Sequence, residues 1–287
     1  MRFMTFNAAG VQRFGVARDG GVIDLASRSR GEFSGLKEAI AAGALGRLEA
    51  LAADAAADFS FGGIECLPPV DRPGKIICVG INYATRNAEY GQASGQARYP
   101  NLFMRTPESL VGHRGAIVRP RVSHMLDYEI EVGLIIGKAG RYISENDALS
   151  HVAGVTIVNE GTLRDWLSHA KLNVTQGKNF DCSGSAGPWM ETAALPADYR
   201  FELKTWINGE LRQNDSTDNL IWRFEFIVHY LSQFTTLKPG DLICTGTPTG
   251  AGNYFEPKRW LAPGDIITME VSGIGRLENH VIDEPAA

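Results

Sequence analysis

The feature that most constrains the fold is a series of short β-type runs in the second part of the chain, separated by Gly, Pro or Asn-Gly. The clearest are KIICVG, YEIEVGLIIG, VAGVTIVNE, FELKTWING, DLICTG and IITMEVSGIG. Short apolar runs between turn residues are typical of strands. Regular alternation of strands with long helical patterns, which indicates a parallel βαβ sheet, is missing from this pattern. The sequence therefore predicts a β-rich α+β fold with a few helices.

The 287 residues suit one large domain with a small appendage, or two domains. Residues 1–26 alternate and turn at RDGG, which predicts a hairpin, and apolar residues at roughly helical spacing in residues 33–59 predict a helix. A proline-rich connector follows. We predict a boundary near residue 70, with a small structural N-terminal domain over 1–70 and a catalytic domain over 71–287. A second helix is predicted in LIWRFEFIVHYLSQF, with an apolar stripe that packs.

Composition and charge exclude several classes of protein. Hydrophobic residues make up 44% and charged residues 21%, and a net charge of -5 without a long basic run gives no indication of a nucleic-acid or anionic-membrane partner. The apolar stretches are too short for a membrane span, and the N-terminus lacks the apolar region of a signal peptide. Four scattered cysteines without CxxC suit a reduced cytoplasm and structural roles.

Two glutamates, Glu129 and Glu131, precede the apolar run VGLII. In a strand, residues i and i+2 point to the same side, so these two carboxylates share a face and Ile130 and Val132 share the other. Burying two unpaired carboxylates is costly. Water, basic side chains or a divalent cation would each satisfy them, and the two residues alone leave these alternatives open.

A third acid strengthens the case for a cation. Glu160 stands where the strand VAGVTIVN gives way to a loop, and Thr162 with Asp165 resembles a capping box at a helix start. Arg164 and Lys178 follow. Three acids and two bases near strand ends predict a site for a metal ion and an anionic substrate.

The segment CTGTPTGAG supplies small residues after the strand DLIC. Such a turn exposes backbone N–H groups and hydroxyls that can bind a carboxylate, although a purely structural turn reads the same way. Fingerprints of nucleotide binding, of zinc proteases and of serine hydrolases (GxGxxG, the P-loop, HExxH and GxSxG) are missing from the sequence.

Taken in order, the motifs CVGINY, LDYEIEVGLIIGK, VAGVTIVNEGTLRDW, GKNFD, NGE, LKPGDLICTGTPTGAG, LAPGD and GIGRLEN resemble the fumarylacetoacetate hydrolase family over about residues 74–283. The resemblance implies a mixed β-roll catalytic domain, a homodimer, and Mg²⁺ or Mn²⁺ as the cofactor. It also implies action on 2-oxo or β-diketo acids, by C–C hydrolases, decarboxylases, and hydratases or isomerases of catabolism.

The resemblance assigns roles position by position. It implies three metal ligands: Glu129, Glu131 and Glu160. It implies contacts to the substrate from four residues: Arg164, Thr247, Gly246 and Tyr83. The catalytic candidates are Glu89, Arg86 and Lys178.

Three positions depart from the family pattern. Arg86 stands where a histidine usually pairs with Glu89 to activate water, and arginine cannot accept a proton near neutral pH. Glu160 replaces the usual aspartate, and Leu167 stands where the family often has glutamine. Glu89 is then the candidate base, and Arg86 either binds a second carboxylate or holds Glu89 ionised. His169 is a further candidate for the missing base.

The resemblance favours hydrolysis of a C–C bond in a β-diketo or 2-oxo acid, as in an acylpyruvase. Decarboxylation of an oxaloacetate-type acid, or a tautomerase, isomerase or hydratase reaction, is the alternative. In decarboxylation, breaking the C–C bond needs a stabilised enolate but no activated water. A carboxylate-binding protein without catalysis is the third alternative. Residues 83–105 are open to two interpretations, a lid over the site or a loop without a role.

Overall fold

The second part of the chain builds two facing sheets, as the short β runs predict. The computed structural model describes residues 1–18, 20–89, 98–169, 174–192, 195–196 and 198–286, and residues 90–97 of the segment predicted as a lid or loop lie outside this description. The strands in the described ranges are β1 (Arg2–Ala8), β2 (Val11–Arg18), β3 (Gly21–Asp24), β4 (Glu65–Cys66), β5 (Ile76–Gly80), β6 (Asn101–Arg105), β7 (Leu110–Val111), β8 (Ala116–Arg119), β9 (Leu126–Asp127), β10 (Ile130–Ile136), β11 (Val152–Asn159), β12 (Thr162–Leu163), β13 (Gly184–Glu191), β14 (Glu202–Ile207), β15 (Glu210–Ser216), β16 (Leu242–Cys244), β17 (Ile266–Val271) and β18 (Gly275–Asp283).

Helices are short and few. The α-helices in the described ranges are α1 (Leu25–Arg28), α2 (Leu36–Ala41), α3 (Leu45–Ala52), α4 (Arg86–Glu89), α5 (Thr175–Lys178) and α6 (Phe224–Phe234). Short 3-10 helices occupy Phe61–Gly63, Pro107–Ser109, Glu145–His151, Asp165–His169, Thr217–Asn219 and Gly252–Tyr254. In the described part of the chain, no helix is both long and apolar enough to cross a membrane.

The larger sheet runs in the order β3-β2-β1-β13-β11-β10-β16-β5-β6, with β4 beside β1 and β7 beside β13. A second sheet has the order β15-β14-β17-β18-β8, and β9 pairs with β12 separately. One apolar cluster joins the inner faces of both sheets to α6, with Ile130 and Val132 from β10 and Leu203 from β14 among its buried members. The strand β10 therefore presents its even-numbered side chains to this core, as its alternation predicts.

The N-terminal segment continues the larger sheet. Strand β1 pairs antiparallel with β13 at Phe3 and Met190. Strands β2 and β3 pair antiparallel as far as Arg18 and Gly21, which confirms the predicted hairpin. The helices α2 and α3 pack on the outer face of the sheet, in a cluster that also contains Ile135 and Val158. The division into residues 1–70 and 71–287 stays a prediction, and an apolar layer spans that boundary.

Two helix predictions need adjustment. The pattern of residues 33–59 forms two helices because Gly43 adopts a φ of 64° between them, and Leu51 is exposed. In the second helix, Phe224, Ile227 and Leu231 are buried as predicted, but the stripe ends early because Phe234 is 56% exposed.

Candidate active site

The three predicted metal ligands lie together at one end of β10 and β11. Glu129 and Glu131 point to the same side of β10, and the antiparallel partner strand β11 ends beside them, so the Glu160 N–H donates to the Glu129 carbonyl at 2.8 Å. All three side chains are buried, and one carboxylate oxygen from each lies within 4.8 Å of the others. Gly161 allows this approach, since a Cβ there would lie 1.7 Å from the Ser183 carbonyl oxygen.

Glu131 forms no ion pair with a cationic side chain among the residues that the structure describes. Its Oε2 accepts a hydrogen bond from the Gly246 N–H at 2.7 Å. Burial raises the pKa of Glu131 well above its usual range, and the nearby Glu160 and Cys244 raise it further. Gly246 has a φ of 100°, and a Cβ there would lie 2.6 Å from the Asn82 Cβ, so only glycine fits this turn. The Gly246 amide predicted to contact substrate is thus engaged by Glu131.

Glu129 lies among cations. Its Oε1 accepts hydrogen bonds from Arg86 and, at 2.7 Å, from Arg164, and its Oε2 accepts from the Lys178 Nζ at 2.5 Å. Burial alone would raise the pKa of Glu129, but these three cations outweigh it and hold that pKa well below its usual range. The Thr162 hydroxyl, 3.3 Å from Oε2, is a further donor, so Thr162 belongs to the site and not to the predicted helix cap.

Lys178 is buried at the end of α5 and bridges two of the acids. Its Nζ lies 2.5 Å from Glu129 Oε2 and 3.2 Å from Glu160 Oε2. Burial alone would lower the pKa of Lys178, but Glu129 and Glu160 outweigh burial and raise it. The raised pKa keeps the amino group protonated. The Phe103 ring centroid lies 5.2 Å from it.

Arg86 and Glu89 occupy the first and last positions of α4. Besides Glu129, Arg86 donates to Glu89 Oε2 at 3.2 Å and to the Pro248 carbonyl at 3.0 Å, and only 2% of its surface is exposed. Glu89 Oε1 accepts from the Gly250 N–H at 3.1 Å. Burial raises the pKa of Glu89 despite the opposing charge of Arg86. The pair that replaces the usual His–Glu arrangement is thus an ion pair, with both Glu89 oxygens engaged.

Arg164 is held by an acid that the motifs did not single out. Its Nε donates at 2.7 Å to Asp127, which is fully buried and also accepts the N–H groups of Gly252 and Asn253. The ring of Tyr254, on the same turn, lies 5.7 Å from the Arg164 guanidinium carbon, and 5.2 Å from that of Arg86. Asp127 precedes Glu129 by two residues, so the i, i+2 rule that paired the glutamates also points to it.

Thr247 and Tyr83 are placed differently. Thr247 lines the cavity above the acids, whereas Tyr83 is 1% exposed and does not line it. Tyr83 lies in the core because the backbone at this point bridges to Leu220. The neighbouring Asn82 supports the site instead, by donating to the Thr245 carbonyl at 2.7 Å.

A cavity of about 730 Å³ opens over the cluster. Its polar wall contains the three glutamates with Arg86, Arg164, Lys178 and Thr247. An apolar wall faces them, with Val79, Ile81, Leu102, Phe103, Met104, Leu167 and Val174. Glu89, Gly246 and Tyr83 do not line this cavity. His169 is exposed and does not line this cavity, and its ring lies tilted against Trp166 with 4.3 Å between the ring centroids.

The acids fit a divalent cation. Glu160 Oε1 is buried and accepts no hydrogen bond from any residue that the structure describes, and the Arg105 Nη1 atom is 3.8 Å away. A buried carboxylate oxygen without a donor is costly unless a cation completes it. Three carboxylate oxygens are a hard donor set of the kind that Mg²⁺ and Mn²⁺ prefer.

Known proteins share the sequence pattern and the fold of this chain. The sequence model described as fumarylacetoacetate (FAA) hydrolase, C-terminal, matches residues 75–282. The oxaloacetate tautomerase YisK of Bacillus subtilis (strain 168) is 37% identical over 227 residues, which are 78% of this chain and 75% of that protein.

Solved structures share the whole fold. The structure of a probable 2-hydroxyhepta-2,4-diene-1,7-dioate isomerase from Mycobacterium abscessus has 34% identity and a TM-score of 0.81, and the match covers 100% of both chains. Maleylpyruvate hydrolase from Sphingobium sp. SYK-6, solved with manganese(II) ion and pyruvate, has 25% identity and a TM-score of 0.81, and the match covers 99% of this chain and 100% of that one.

The relatives are named as enzymes of different reaction types that act on small acids, and the β-rich fold predicted from the sequence is confirmed. The match of the family model to most of the chain and the motifs in their expected order lead to the same conclusion. The chain belongs to the fumarylacetoacetate hydrolase family.

Proposed function

We propose that this protein is a divalent-cation-dependent tautomerase that interconverts the enol and keto forms of an oxaloacetate-class 2-oxo dicarboxylic acid. The observation that carries the proposal is Arg86, a buried guanidinium at the position where the family usually has the histidine of its water-activating pair. Arginine cannot accept a proton from water, and Glu89 has both oxygens engaged outside the cavity wall. Tautomerisation needs no activated water, and the similarity to an oxaloacetate tautomerase supports the same choice.

The charges of the cavity favour an anionic substrate. Among the described residues that line it, three glutamates are matched by Arg86, Arg164 and Lys178. In this proposal Glu129, Glu131 and Glu160 hold the cation, which is Mg²⁺ or Mn²⁺. When bound, the cation would act as a Lewis acid that stabilises an enolate. Its added positive charge calls for carboxylates on the substrate.

The chain supplies groups for those carboxylates and for the proton. Thr247 and Arg164 line the cavity and are placed to bind carboxylate oxygens, with Arg86 as the candidate for a second carboxylate. Lys178 keeps a proton beside the acids. In ketonisation it gives this proton to C3 of the substrate and takes one from the enol oxygen, so that no net proton is consumed.

Hydrolysis of a C–C bond is the second candidate. The similarity to maleylpyruvate hydrolase favours it, and so does the raised pKa of Glu89, since a base near neutral pKa activates water best. Decarboxylation of oxaloacetate would use the same enolate as the tautomerase. The homodimer that the family resemblance implies stays a prediction.

Product analysis with Mg²⁺ separates the three reactions. For a tautomerase we expect accelerated loss of the ultraviolet absorbance of enol-oxaloacetate with no pyruvate formed, as measured by coupling to lactate dehydrogenase. Pyruvate from oxaloacetate would identify a decarboxylase, and pyruvate with a second acid from an acylpyruvate would identify a hydrolase. A Glu160→Gln variant, which loses a carboxylate oxygen of the cluster, is the matched inactive control.

The Arg86→His variant tests whether the lack of a proton acceptor at position 86 limits hydrolysis. It places a proton acceptor beside Glu89, and we expect hydrolysis of an acylpyruvate to rise by on the order of 100-fold, the usual contribution of a general base. Arg86→Lys is the control, because it keeps the charge but accepts no proton at neutral pH. If wild type already hydrolyses acylpyruvates faster than it tautomerises oxaloacetate, the proposal is wrong.

A further inference from the structure

Gln213 reaches the site from the second sheet, where sequence motifs gave no indication of a role. It lies in β15 and is fully buried. Its Oε1 accepts hydrogen bonds from the Ile130 N–H and from the Thr205 hydroxyl, both at 3.1 Å. Its Nε2 donates to the Thr247 hydroxyl and to the Pro248 carbonyl, both at 3.0 Å. One side-chain amide thus connects β10 to the loop that carries Thr247 and Pro248.

The orientation of this amide is fixed by its partners. The Ile130 N–H can only donate, so it must face the Gln213 oxygen, and the Pro248 carbonyl can only accept, so it must face the nitrogen. The Nε2 group therefore donates to the Thr247 oxygen and cannot accept from it.

This orientation decides what the Thr247 hydroxyl can do. A hydroxyl has one proton, and Thr247 must direct it away from the Gln213 donor. In the part of the chain that the structure describes, the Thr247 hydroxyl donates to no protein acceptor, although the residue lines the cavity. The proton is available to an acceptor inside the cavity.

We propose that Gln213 is a positioning residue that fixes Thr247 as a hydrogen-bond donor to the carboxylate of the bound 2-oxo acid. This rests on the proposed function for the identity of the ligand. Gln213 acts through Thr247 and does not itself line the cavity. The Pro248 carbonyl also accepts from Arg86, so the same amide supports the loop against which Arg86 is held.

A double-mutant cycle tests this coupling with oxalate as the probe, bound in the presence of MgCl₂ and followed by titration calorimetry. Gln213→Met removes the donor at nearly constant shape, and Thr247→Val removes the hydroxyl. A hydrogen bond to a charged group is worth enough that we expect each single variant to bind oxalate roughly tenfold more weakly. We expect the double variant to bind oxalate no more weakly than the single variant with the lower affinity, because both changes remove the same hydrogen bond to the ligand.

Two further variants keep the test independent of folding. Thr247→Ser retains the hydroxyl, and we expect it to bind oxalate about as wild type does. Gln213→Glu keeps the size of the side chain but accepts the Thr247 proton and so withdraws it from the cavity. We expect it to weaken oxalate binding at least as much as Gln213→Met, with KM for the substrate rising more than kcat falls.

Thr205→Val is the matched control. It removes the other hydroxyl bound to the Gln213 amide, in the same buried sheet, but the Ile130 N–H still holds the orientation. We expect a lower midpoint of unfolding and unchanged oxalate affinity. Three results would each overturn the positioning role. The first is an equal loss of oxalate affinity in Thr205→Val and Gln213→Met, and the second is an unchanged affinity in Gln213→Met. The third is a double variant whose loss of affinity equals the product of the losses in Gln213→Met and Thr247→Val. If wild type with Mg²⁺ does not bind oxalate, the proposed function fails first, and this proposal fails with it.

Discussion

Glu129, just before β10, and Glu131, within it, point to the same side of the chain, yet their surroundings differ completely. Arg86, Arg164 and Lys178 contact Glu129 and hold it ionised, whereas Glu131 receives one backbone N–H and has a raised pKa. Strand geometry places both carboxylates, but the segments that pack against them decide their charge. The charge of Glu129 is balanced by cationic side chains of the protein, whereas Glu131 depends on a proton or a bound cation.

The largest expected effect comes from removing the ionised member. Glu129→Gln leaves three buried cations without their shared partner, and we expect the free energy of unfolding to fall by about 3 to 5 kcal/mol. Chemical denaturation in metal-free buffer measures this. A loss below about 1 kcal/mol would mean that the three cations do not depend on Glu129.

Glu131→Gln sharpens the contrast. In metal-free buffer an amide replaces a protonated carboxyl of the same shape, so we expect the free energy of unfolding to change by less than roughly 1 kcal/mol. We expect Mg²⁺ affinity to fall by about 100-fold or more, since even changes around metal ligands cost 10- to 100-fold. If Mg²⁺ binds this variant as tightly as wild type, Glu131 is not a ligand.

The raised pKa of Glu131 predicts a pH dependence of metal binding. A cation must displace its proton, so apparent Mg²⁺ affinity should rise with pH by up to tenfold per unit until the pH exceeds that pKa. Calorimetry in buffers of different ionisation enthalpy should show about one proton released, and none in Glu131→Gln.

The metal-free protein should show the opposite trend. The folded state holds the Glu131 proton more tightly than the unfolded state does, so this residue's contribution to stability falls as pH rises from the ordinary carboxyl range towards the raised pKa. Glu129 has a lowered pKa, so its contribution is present above the ordinary range and is lost on acidification. Denaturation curves of Glu131→Gln against pH should lack the first trend; equal pH profiles in variant and wild type would contradict the assignment.

The smallest expected effect concerns the aromatic ring over the cation-rich side. Tyr254→Leu removes a ring that lies near both Arg86 and Arg164, and such contacts are worth about 0.5 to 1 kcal/mol. We expect KM for a dicarboxylate substrate to rise about two- to fivefold with kcat little changed. Tyr254→Phe keeps the ring and should behave as wild type; an equal effect in both variants would assign it to the hydroxyl instead.

The sequence was informative where a local period decides geometry. The alternation at Glu129–Glu131 and the strand end at Glu160 predicted a cluster that the structure brings together. Arg164 and Lys178, which follow Glu160 in the sequence and match the family motifs, also lie in the cavity wall. These assignments depend on which way neighbouring residues point, and that is readable from a short window.

The remaining site residues depend on contacts that no short window contains. Gln213 contacts a strand 83 positions earlier in the chain, and the Gly246 amide is engaged by a carboxylate 115 positions away. Tyr83 and Asn82 are neighbours in one motif, but Tyr83 is buried in the core, whereas Asn82 binds the Thr245 carbonyl in the loop after β16. Tertiary packing decides these cases, and a motif alone cannot.

The N-terminal layer has a consequence for any attempt to shorten this protein. The family match begins at residue 75, but Ile135 and Val158, on the two strands that lead to the carboxylates, pack in one apolar cluster with α2 and α3. A fragment cut near residue 70 would expose these apolar side chains, together with the unpaired edge of β13, to water. We expect such a fragment to aggregate, so the smallest piece able to hold the three acids in place is larger than the shared family sequence.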